Sequence, residues 1–204
     1  MLPKKIPREL SDEELILETI KDKEFFGYLI KRYQSKIIRY IKNFSNVPLE
    51  VAQDIAQETF IKAYINLNNF DQNLKFSSWL YRIAHNQAVN YWRKHKKEFN
   101  NISLEINGGI KRILKTDSDL EKVLAGKIEI EKIKQIILKL PPKYRSVVIL
   151  RYFEEKSYEE ISDIIKKPPG TVGTFIFRAK KILKKELINN NIVFKNYETA
   201  KFKR

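Results

Sequence analysis

The sequence contains no cysteine and only two histidines, His85 and His95. Without cysteine the chain can form neither a disulfide nor a thiolate zinc site, a composition that is compatible with a reducing cytoplasm. The two histidines stand ten positions apart and lack the spacing of metal ligands. We therefore expect neither a metal nor another cofactor.

Long apolar runs are also missing. No stretch approaches the length of a membrane-spanning helix. Residues 1–14 lack the apolar core of a signal peptide. The expectation is a protein of the cytoplasm that does not insert into a membrane.

Negative charge is scarce. The chain has 40 Lys and Arg against 25 Asp and Glu, a formal net charge of +15 on 204 residues. Such a balance indicates a polyanionic partner. Nucleic acid is favoured over membrane, because the cations cluster beside amides and aromatic rings and not opposite a purely apolar face.

The segment 76–97, FSSWLYRIAHNQAVNYWRKHKK, contains no acidic residue. Its apolar residues recur at helical spacing: Trp79, Leu80, Ile83, Ala84, Ala88 and Tyr91. Ser77 and Ser78 are candidate N-caps. A helix with an aromatic start, amides on one face and a cationic end suits nucleic acid, since cations hold phosphate, amides contact base edges and rings stack. A core helix with a solvated basic face explains the pattern about as well.

Residues 49–67 predict a helix with two unlike faces. Its inward face is expected to carry Ala52, Ile55, Ala56 and Ala63. Asp54, Gln57 and Glu58 share another face at i, i+3 and i+4. An acidic patch on so cationic a chain is unsuited to DNA and predicts a protein partner rich in Arg or Lys. A solvated helix face is the alternative.

The C-terminal half predicts a helix-turn-helix. Ser157 and Glu160 form a capping box before a short helix, a turn follows at residues 166–169, and a second helix covers 170–187. This second helix would enter a major groove, although a plain helical hairpin imitates the pattern.

The fold class is therefore all-α, with two small helical domains joined by a flexible linker. The expected divisions are a leader and short helix (1–21), a first domain (22–97), the linker (98–118), a second domain (119–187) and a basic tail (188–204). Ser11 and Glu14 form a capping box that opens the short helix. Two apolar stripes at helical spacing predict core faces, one in each domain: Phe26, Ile30, Tyr33, Ile37, Tyr40 and Phe44, and Ile133, Ile136, Ile137 and Leu140. Pro141-Pro142 ends the second of these helices and starts the next.

Two sets of motifs go beyond periodicity. DIAQETF at residues 54–60 and FSSWLYRIAHN at 76–86 resemble region 2 of the extracytoplasmic-function (ECF) group of bacterial sigma factors. LPPKYR (140–145), LRYF (150–153), SYEEI (157–161) and GTV (170–172), with Arg178-Ala179, resemble region 4 of that group. The match follows the family order across residues 25–187, with a short linker where larger sigma factors carry a third domain.

The resemblance implies a protein without catalytic activity that binds core RNA polymerase, directs it to promoters and helps melt the −10 element. Asp54, Gln57 and Glu58 match residues that dock on the clamp helices of the largest polymerase subunit. The loop 71–78, anchored by Phe70, matches the segment that accepts a flipped base. The expected −10 contacts are Phe70, Phe76, Trp79, Arg82, Asn86, Arg93, Lys94, Lys96 and Lys97. An anti-sigma factor is a further partner that the resemblance allows.

The second domain matches the part of the family that recognises the −35 element. The residues at or near this surface are Ser157, Tyr158, Thr171, Thr174, Phe177, Arg178 and Lys181. Gly173 and Phe175 stand where the family usually has cations, and Gly173 costs the helix roughly 1 kcal/mol of propensity. We therefore predict an unusual or weaker −35 preference, which Lys180, Lys181, Lys184 and the tail could support. Phe175 is expected in the core, and contact with a thymine methyl is the alternative. Lys166 stands where the family often has glycine.

Two other functions compete with this interpretation. A helix-turn-helix regulator that acts without polymerase would use only the C-terminal half and would leave the N-terminal half unexplained. An RNA-processing or nuclease enzyme would need a cluster of carboxylates, histidines or cysteines, and the sequence contains no such constellation. The sigma-factor resemblance is favoured over both.

Overall fold

The computed structural model describes residues 10–71, 73–95 and 127–189, with side chains from residue 133 onward in the helix that begins at Lys127. Within these ranges the chain forms helices and no strand, so the all-α prediction is confirmed. The α-helices are α1 (Asp12–Lys21), α2 (Phe26–Ser45), α3 (Leu49–Ile65), α4 (Phe76–His95), α5 (Lys127–Lys139), α6 (Pro142–Val148), α7 (Tyr158–Ile165) and α8 (Pro169–Asn189). The predicted linker, and the parts of the leader and tail at 1–9 and 190–204, lie outside the described residues.

The first domain begins with a capped helix that is tied to its neighbour. The backbone N–H of Glu14 donates to Ser11 Oγ at 3.1 Å, and the N–H of Ser11 donates to the Glu14 carboxylate at 2.7 Å, which confirms the capping box at the start of α1. Asp12 then accepts a hydrogen bond from Arg32 Nη1 at 2.6 Å and another from the Tyr33 hydroxyl. These contacts hold α1 against α2.

The core of the first domain lies between α2, α3 and α4. The stripe predicted on α2 is buried at Phe26, Tyr33, Ile37, Tyr40 and Phe44, while Ile30 on the same stripe is half-buried. The predicted inward face of α3 is buried at all of its positions, Ala52, Ile55, Ala56 and Ala63. Small residues on α3 allow the three helices to approach closely.

The start of α4 differs from the prediction. Ser77 and Ser78 do not cap the helix, because α4 already begins at Phe76 and the Lys75 carbonyl accepts the first-turn hydrogen bond from Trp79 at 3.1 Å. The physical reason is the burial of the Phe76 ring, which is 1% exposed and draws the chain into the core one residue earlier. Ser78 is buried within the first turn.

The second domain follows the predicted pattern closely. Pro141 and Pro142 separate α5 from α6, with Pro142 in the first turn of α6, where its missing N–H is not needed. A π-helical turn, Ile149–Phe153, continues α6. The predicted core face of α5 is buried at Ile133, Ile136 and Ile137.

The helix-turn-helix is formed by α7 and α8, which pack on each other. The Glu160 N–H donates to Ser157 Oγ at 3.1 Å, and the Ser157 N–H donates to the Glu160 carboxylate at 2.9 Å, so the second capping box is also confirmed. Lys166, the residue that follows the end of α7 at Ile165, has the left-handed φ of 53°. This conformation favours glycine, the residue that the family often carries there.

The two domains are in contact. α7 lies along α4, and the π-helical turn Ile149–Phe153 lies against α2. Arg145 reaches from α6 to the end of α2 and donates from Nη1 to the Phe44 carbonyl at 2.9 Å. Its guanidinium also stacks on Trp92, with its central carbon 5.1 Å from the ring centroid. The sequence did not predict this contact.

Candidate polymerase and nucleic-acid interfaces

The acidic face of α3 is exposed as the sequence predicts. Asp54, Gln57 and Glu58 all lie at the surface of the same helix face. Glu58 is oriented by α4, because the side-chain amide of Gln87 donates to its carboxylate at 2.7 Å. The Gln87 oxygen accepts in turn from Lys62 Nζ at 2.7 Å. The face thus presents two exposed carboxylates and an exposed amide on a helix that α4 supports.

An aromatic cluster forms the start of α4. The ring centroids of Phe70 and Trp79 lie 5.2 Å apart, those of Phe70 and Phe76 5.8 Å, and those of Tyr33 and Phe76 5.7 Å. Phe70 and Phe76 are buried, whereas Trp79 is half-buried. Because their apolar surface is packed in the core, Phe70 and Phe76 support the start of α4, and their contact with the −10 strand stays a prediction.

The polar face of α4 is only partly open. Asn86, Arg93 and Lys94 are exposed. Arg82 is half-buried, and its Nε donates to the backbone carbonyl of Asp163 in the second domain at 2.8 Å. Burial lowers the pKa of Arg82. Of the remaining predicted −10 contacts, Lys96 and Lys97 lie outside the described residues.

His85 lies against the core and not in an open groove. Its Nδ1 is 2.8 Å from the Tyr40 hydroxyl, and its ring meets the Phe44 ring edge-on at 5.7 Å. Burial lowers the pKa of His85 to about 4. Burial also raises the pKa of Tyr40. The imidazole is therefore neutral at pH 7 and adds no positive charge to α4.

The predicted −35 surface is carried by one face of α8. Thr174, Phe177, Arg178 and Lys181 are exposed, and the Phe177 side chain is 66% exposed although it is aromatic. Thr171 is half-buried. This face therefore presents an exposed aromatic ring beside two cations, and its contact with the −35 element stays a prediction.

Ser157 and Tyr158 open the helix that precedes this face. The Ser157 hydroxyl is engaged in the capping box, and Ser157 is half-buried. Tyr158 is 38% exposed, and its ring lies 5.4 Å from the guanidinium carbon of Arg151. Both residues stand at a helix N-terminus, where backbone N–H groups favour a phosphate.

The two departures from the family pattern have different structural settings. A Cβ added to Gly173 would meet only the Tyr158 ring at an ordinary 3.6 Å, so packing does not require glycine there. Phe175 is half-buried and packs edge-on against Tyr144, with ring centroids 5.7 Å apart. Phe175 therefore belongs to the packed side of α8, as predicted.

A charged network between the domains was missed by sequence reasoning. Glu154 accepts hydrogen bonds from Arg39 Nη2 at 2.7 Å and from the Tyr81 hydroxyl at 2.7 Å. Burial, then the charge of Glu154, raises the pKa of Tyr81, and the hydrogen bond to Glu154 raises that of Arg39. Lys156 lies 4.8 Å from the centroid of the Tyr81 ring, and burial lowers its pKa. The sequence offered little to indicate this network. Tyr81 directly follows Leu80, a residue of the apolar face of α4, and this position was the one hint that Tyr81 is buried.

Among residues 10–71, 73–95 and 127–189, no group of three or more His, Cys, Asp or Glu could hold a metal ion. None of the helices described in these ranges is long and apolar enough to cross a membrane.

Comparisons with known proteins agree with both domains. Residues 29–98 match the family model described as Sigma-70 region 2, and residues 130–183 match the one described as Sigma-70, region 4. The ECF RNA polymerase sigma factor SigW of Bacillus subtilis is 40% identical over 172 residues, which cover 81% of this chain and 90% of that protein. The RNA polymerase sigma-H factor of Pseudomonas aeruginosa is 37% identical, covering 86% of this chain and 93% of that protein.

Solved structures share the fold. CnrH, determined in complex with the cytosolic domain of CnrY, superposes with a TM-score of 0.65 at 22% identity, covering 88% of this chain and 98% of that one. The sigma factor RpoE of Bartonella quintana, determined in complex with the anti-sigma factor NepR, gives a TM-score of 0.57 at 20% identity, covering 80% of this chain and 96% of that one. From its two matched regions and its relatives, this chain belongs to the sigma-70 family of RNA polymerase sigma factors, in the ECF group.

Proposed function

We propose that this sigma factor binds core RNA polymerase through the acidic face of α3, holds a melted strand of the −10 element at α4 and recognises the −35 element with α8. The observation that carries the proposal is the acidic face itself. A chain with a net charge of +15 exposes two carboxylates and an amide together on one helix. Such a face repels DNA and attracts a basic protein surface.

The polymerase surface that fits this face is the pair of clamp helices in the largest subunit. Rigid helices that present arginines would pair with Asp54 and Glu58, and bidentate Arg–carboxylate contacts are the strongest of such pairs. Gln87 supports this role, since its hydrogen bond holds Glu58 in place before the partner arrives. A pre-positioned side chain loses less entropy when it binds.

At the −10 element, strand opening would be driven by capture of the open strand. Unstacking a base costs a few kcal/mol, which contacts to the flipped base and to phosphates offset. Trp79 is a half-buried ring that directly follows the loop at residues 71–78. The rings of Phe70 and Phe76 pack against it. Asn86, Arg93 and Lys94 are exposed further along α4, where the strand would continue. Arg82 would join them once its contact with Asp163 is released.

At the −35 element, α8 would lie in the major groove with Thr174, Phe177, Arg178 and Lys181 toward DNA. Two cations usual in the family are absent, and Gly173 carries no side chain that could contact DNA. Fewer phosphate or base contacts imply a weaker or altered −35 preference. The promoter choice of this protein would therefore depend more on the −10 element.

The protein would select the promoter, and core polymerase would carry out RNA synthesis. No step in the proposal requires a catalytic side chain, because strand opening follows from binding free energy alone. The protein would act where core polymerase acts, in the cytoplasm. A helix-turn-helix regulator that works without polymerase is not favoured, since it gives the first domain no role.

The proposal is tested by mixing the purified chain with core polymerase and measuring complex formation and promoter-specific transcription. The double variant Asp54→Lys, Glu58→Lys is expected to lose core binding by at least about a hundredfold while keeping its helical content, since exposed positions tolerate a charge change. The matched control, Glu13→Lys with Glu24→Lys, makes the same charge change at two exposed acids outside α3. Equal core binding by the α3 variant and the control would refute the assigned face.

A further inference from the structure

Lys143, in the first turn of α6, is an exposed cation that two aromatic rings hold against the flank of α8. Its Nζ lies 5.0 Å from the centroid of the Tyr144 ring and 5.8 Å from that of the Phe175 ring. The two rings meet edge-on, with their centroids 5.7 Å apart. A ring face attracts an ammonium group that lies within about 6 Å of its centroid. The rings therefore restrain a side chain that would otherwise move freely in water.

The restrained ammonium group lies beside a position of α8 where the family usually has a cation. That position is Phe175, which is half-buried. Phe175 follows Thr171 by four residues and precedes Arg178 by three, so the three residues share one side of the helix. Thr171 and Arg178 belong to the predicted −35 surface. Lys143 thus brings a positive charge from α6 to the edge of this surface, at a position where α8 itself carries none.

The fold gives Lys143 no ion-pair partner. The positive end of a helix dipole disfavours a cation in the first turn, and the first turn of α6 contains no acidic residue. Within the parts of the chain that the structure describes, no carboxylate forms an ion pair with Lys143. The ligand that suits an exposed lysine beside a DNA-binding helix is a backbone phosphate.

We propose that Lys143 contacts a phosphate of the −35 element and replaces, from α6, the cation that α8 lacks at Phe175. The inference rests on the proposed function of α8 and adds to it a residue on another helix. Phosphates are the same in every DNA sequence, so this contact strengthens binding without discriminating between bases. The departures on α8 then reduce sequence preference more than they reduce affinity.

The test measures DNA binding by holoenzyme assembled from core polymerase and the full-length chain. The probes are fluorescein-labelled duplexes: one that wild-type holoenzyme selects from a library randomised at the −35 element, and a set that each differ from it by one base pair there. One phosphate contact releases about 0.9 of a counterion, so Lys143→Ala is expected to lower affinity about five- to tenfold at about 0.1 M salt and about threefold at about 0.3 M. The loss should be the same on every duplex, because no base is involved.

Two variants serve as controls for charge and for position. Lys31→Ala removes another exposed lysine that lies over a tyrosine, with its Nζ 5.6 Å from the centroid of the Tyr28 ring, but in the first domain. Its affinity should stay within about twofold of the wild type, since a distant exposed charge is screened by salt. Lys143→Arg keeps the charge and should restore both the affinity and its salt dependence.

A third variant tests the aromatic support. Phe175→Leu keeps an apolar side chain against Tyr144 but removes one of the two ring faces under the ammonium group. We expect affinity to fall by about twofold on every duplex, because Lys143 is then less restrained before it meets the phosphate.

The outcomes separate this inference from the proposed function. Equal binding by Lys143→Ala and Lys31→Ala at both salt concentrations overturns the inference. A loss confined to one of the duplexes means a base contact and overturns it as well, as does a loss that persists in Lys143→Arg. If wild-type holoenzyme does not form, or selects no duplex from the library, the proposed function fails first.

Discussion

Acidification should destabilise this protein through His85. The imidazole is hydrogen-bonded to the Tyr40 hydroxyl and packed against Phe44, and burial lowers its pKa from 6.5 to about 4. In the unfolded chain the same group takes up a proton near pH 6.5. Between these two pKa values the unfolded state binds more protons than the folded state, so stability falls as the pH falls.

The size of the effect follows from the difference between the pKa values. Each pH unit in this window lowers the free energy of unfolding by up to 1.36 kcal/mol. Relative to pH 7.5, the expected loss is therefore about 2 kcal/mol at pH 5 and about 3 kcal/mol at pH 4. Above about pH 7.5 this group makes almost no pH-dependent contribution. The loss is a large fraction of a typical domain stability of roughly 5–15 kcal/mol.

The assay is urea denaturation followed by circular dichroism at pH 7.5, 6.5, 5.8 and 5. His85→Gln keeps a group that can hydrogen-bond the Tyr40 hydroxyl but does not titrate, so its stability should fall less steeply over this window. The difference between the wild type and this variant isolates His85 from the carboxylates. His95→Gln leaves His85 as the sole imidazole and allows its pKa to be read by NMR.

Two results would refute the reasoning. One is an NMR titration that places the His85 pKa above 6. The other is an equal loss of stability in the wild type and in His85→Gln between pH 6.5 and 5. Either would mean that the imidazole is charged within the core or is hydrated there.

Four further substitutions test other parts of the structure. Lys166→Gly should raise the free energy of unfolding by up to about 1 kcal/mol, because a side chain at φ 53° strains the backbone. The greater conformational freedom of glycine in the unfolded chain offsets part of this gain, and a thermal melt measures the net change. Arg145→Met should lower that free energy by about 3 kcal/mol in urea titrations, since three backbone carbonyls lose a buried donor. Ser157→Ala should lower it by about 1 kcal/mol through loss of the α7 cap, and an unchanged stability would contradict the capping assignment. Phe177→Ala should leave the melting temperature unchanged but weaken holoenzyme binding to duplex containing the −35 element, measured by fluorescence anisotropy; a lower melting temperature would mean that the ring supports the core.

The elements of this protein could be predicted where the signal is local. Both capping boxes, the proline boundary between α5 and α6, and the buried stripes of α2, α3 and α5 appear as the periodicity and caps indicate. Each of these signals acts within one or two helical turns. The start of α4 was misassigned because burial of Phe76, a tertiary effect, prevailed over the capping preference of the serines.

The sequence indicated which residues belong to the candidate site better than it indicated which of them are exposed and which are buried. The exposure of Asp54, Gln57 and Glu58 follows from helical spacing. The burial of Phe70, which precedes α4, and of Phe76, at its start, was not evident from the sequence. His85 gave no sequence signal for burial, because a histidine beside amides and arginines looks like part of a polar face. Its environment depends on where α2 places Tyr40 and Phe44.

By itself the sequence determined an all-α chain, its capped helices, its acidic and cationic faces and its resemblance to two sigma-factor regions. Only the tertiary structure decided that Glu154 meets Arg39, 115 residues earlier in the chain, and that Tyr81 completes that site. Helix periodicity and capping are governed by neighbours in sequence, so they can be read from it directly. A contact between domains depends on the packing of whole surfaces, and a glutamate that will be buried there is indistinguishable in sequence from one that remains in water.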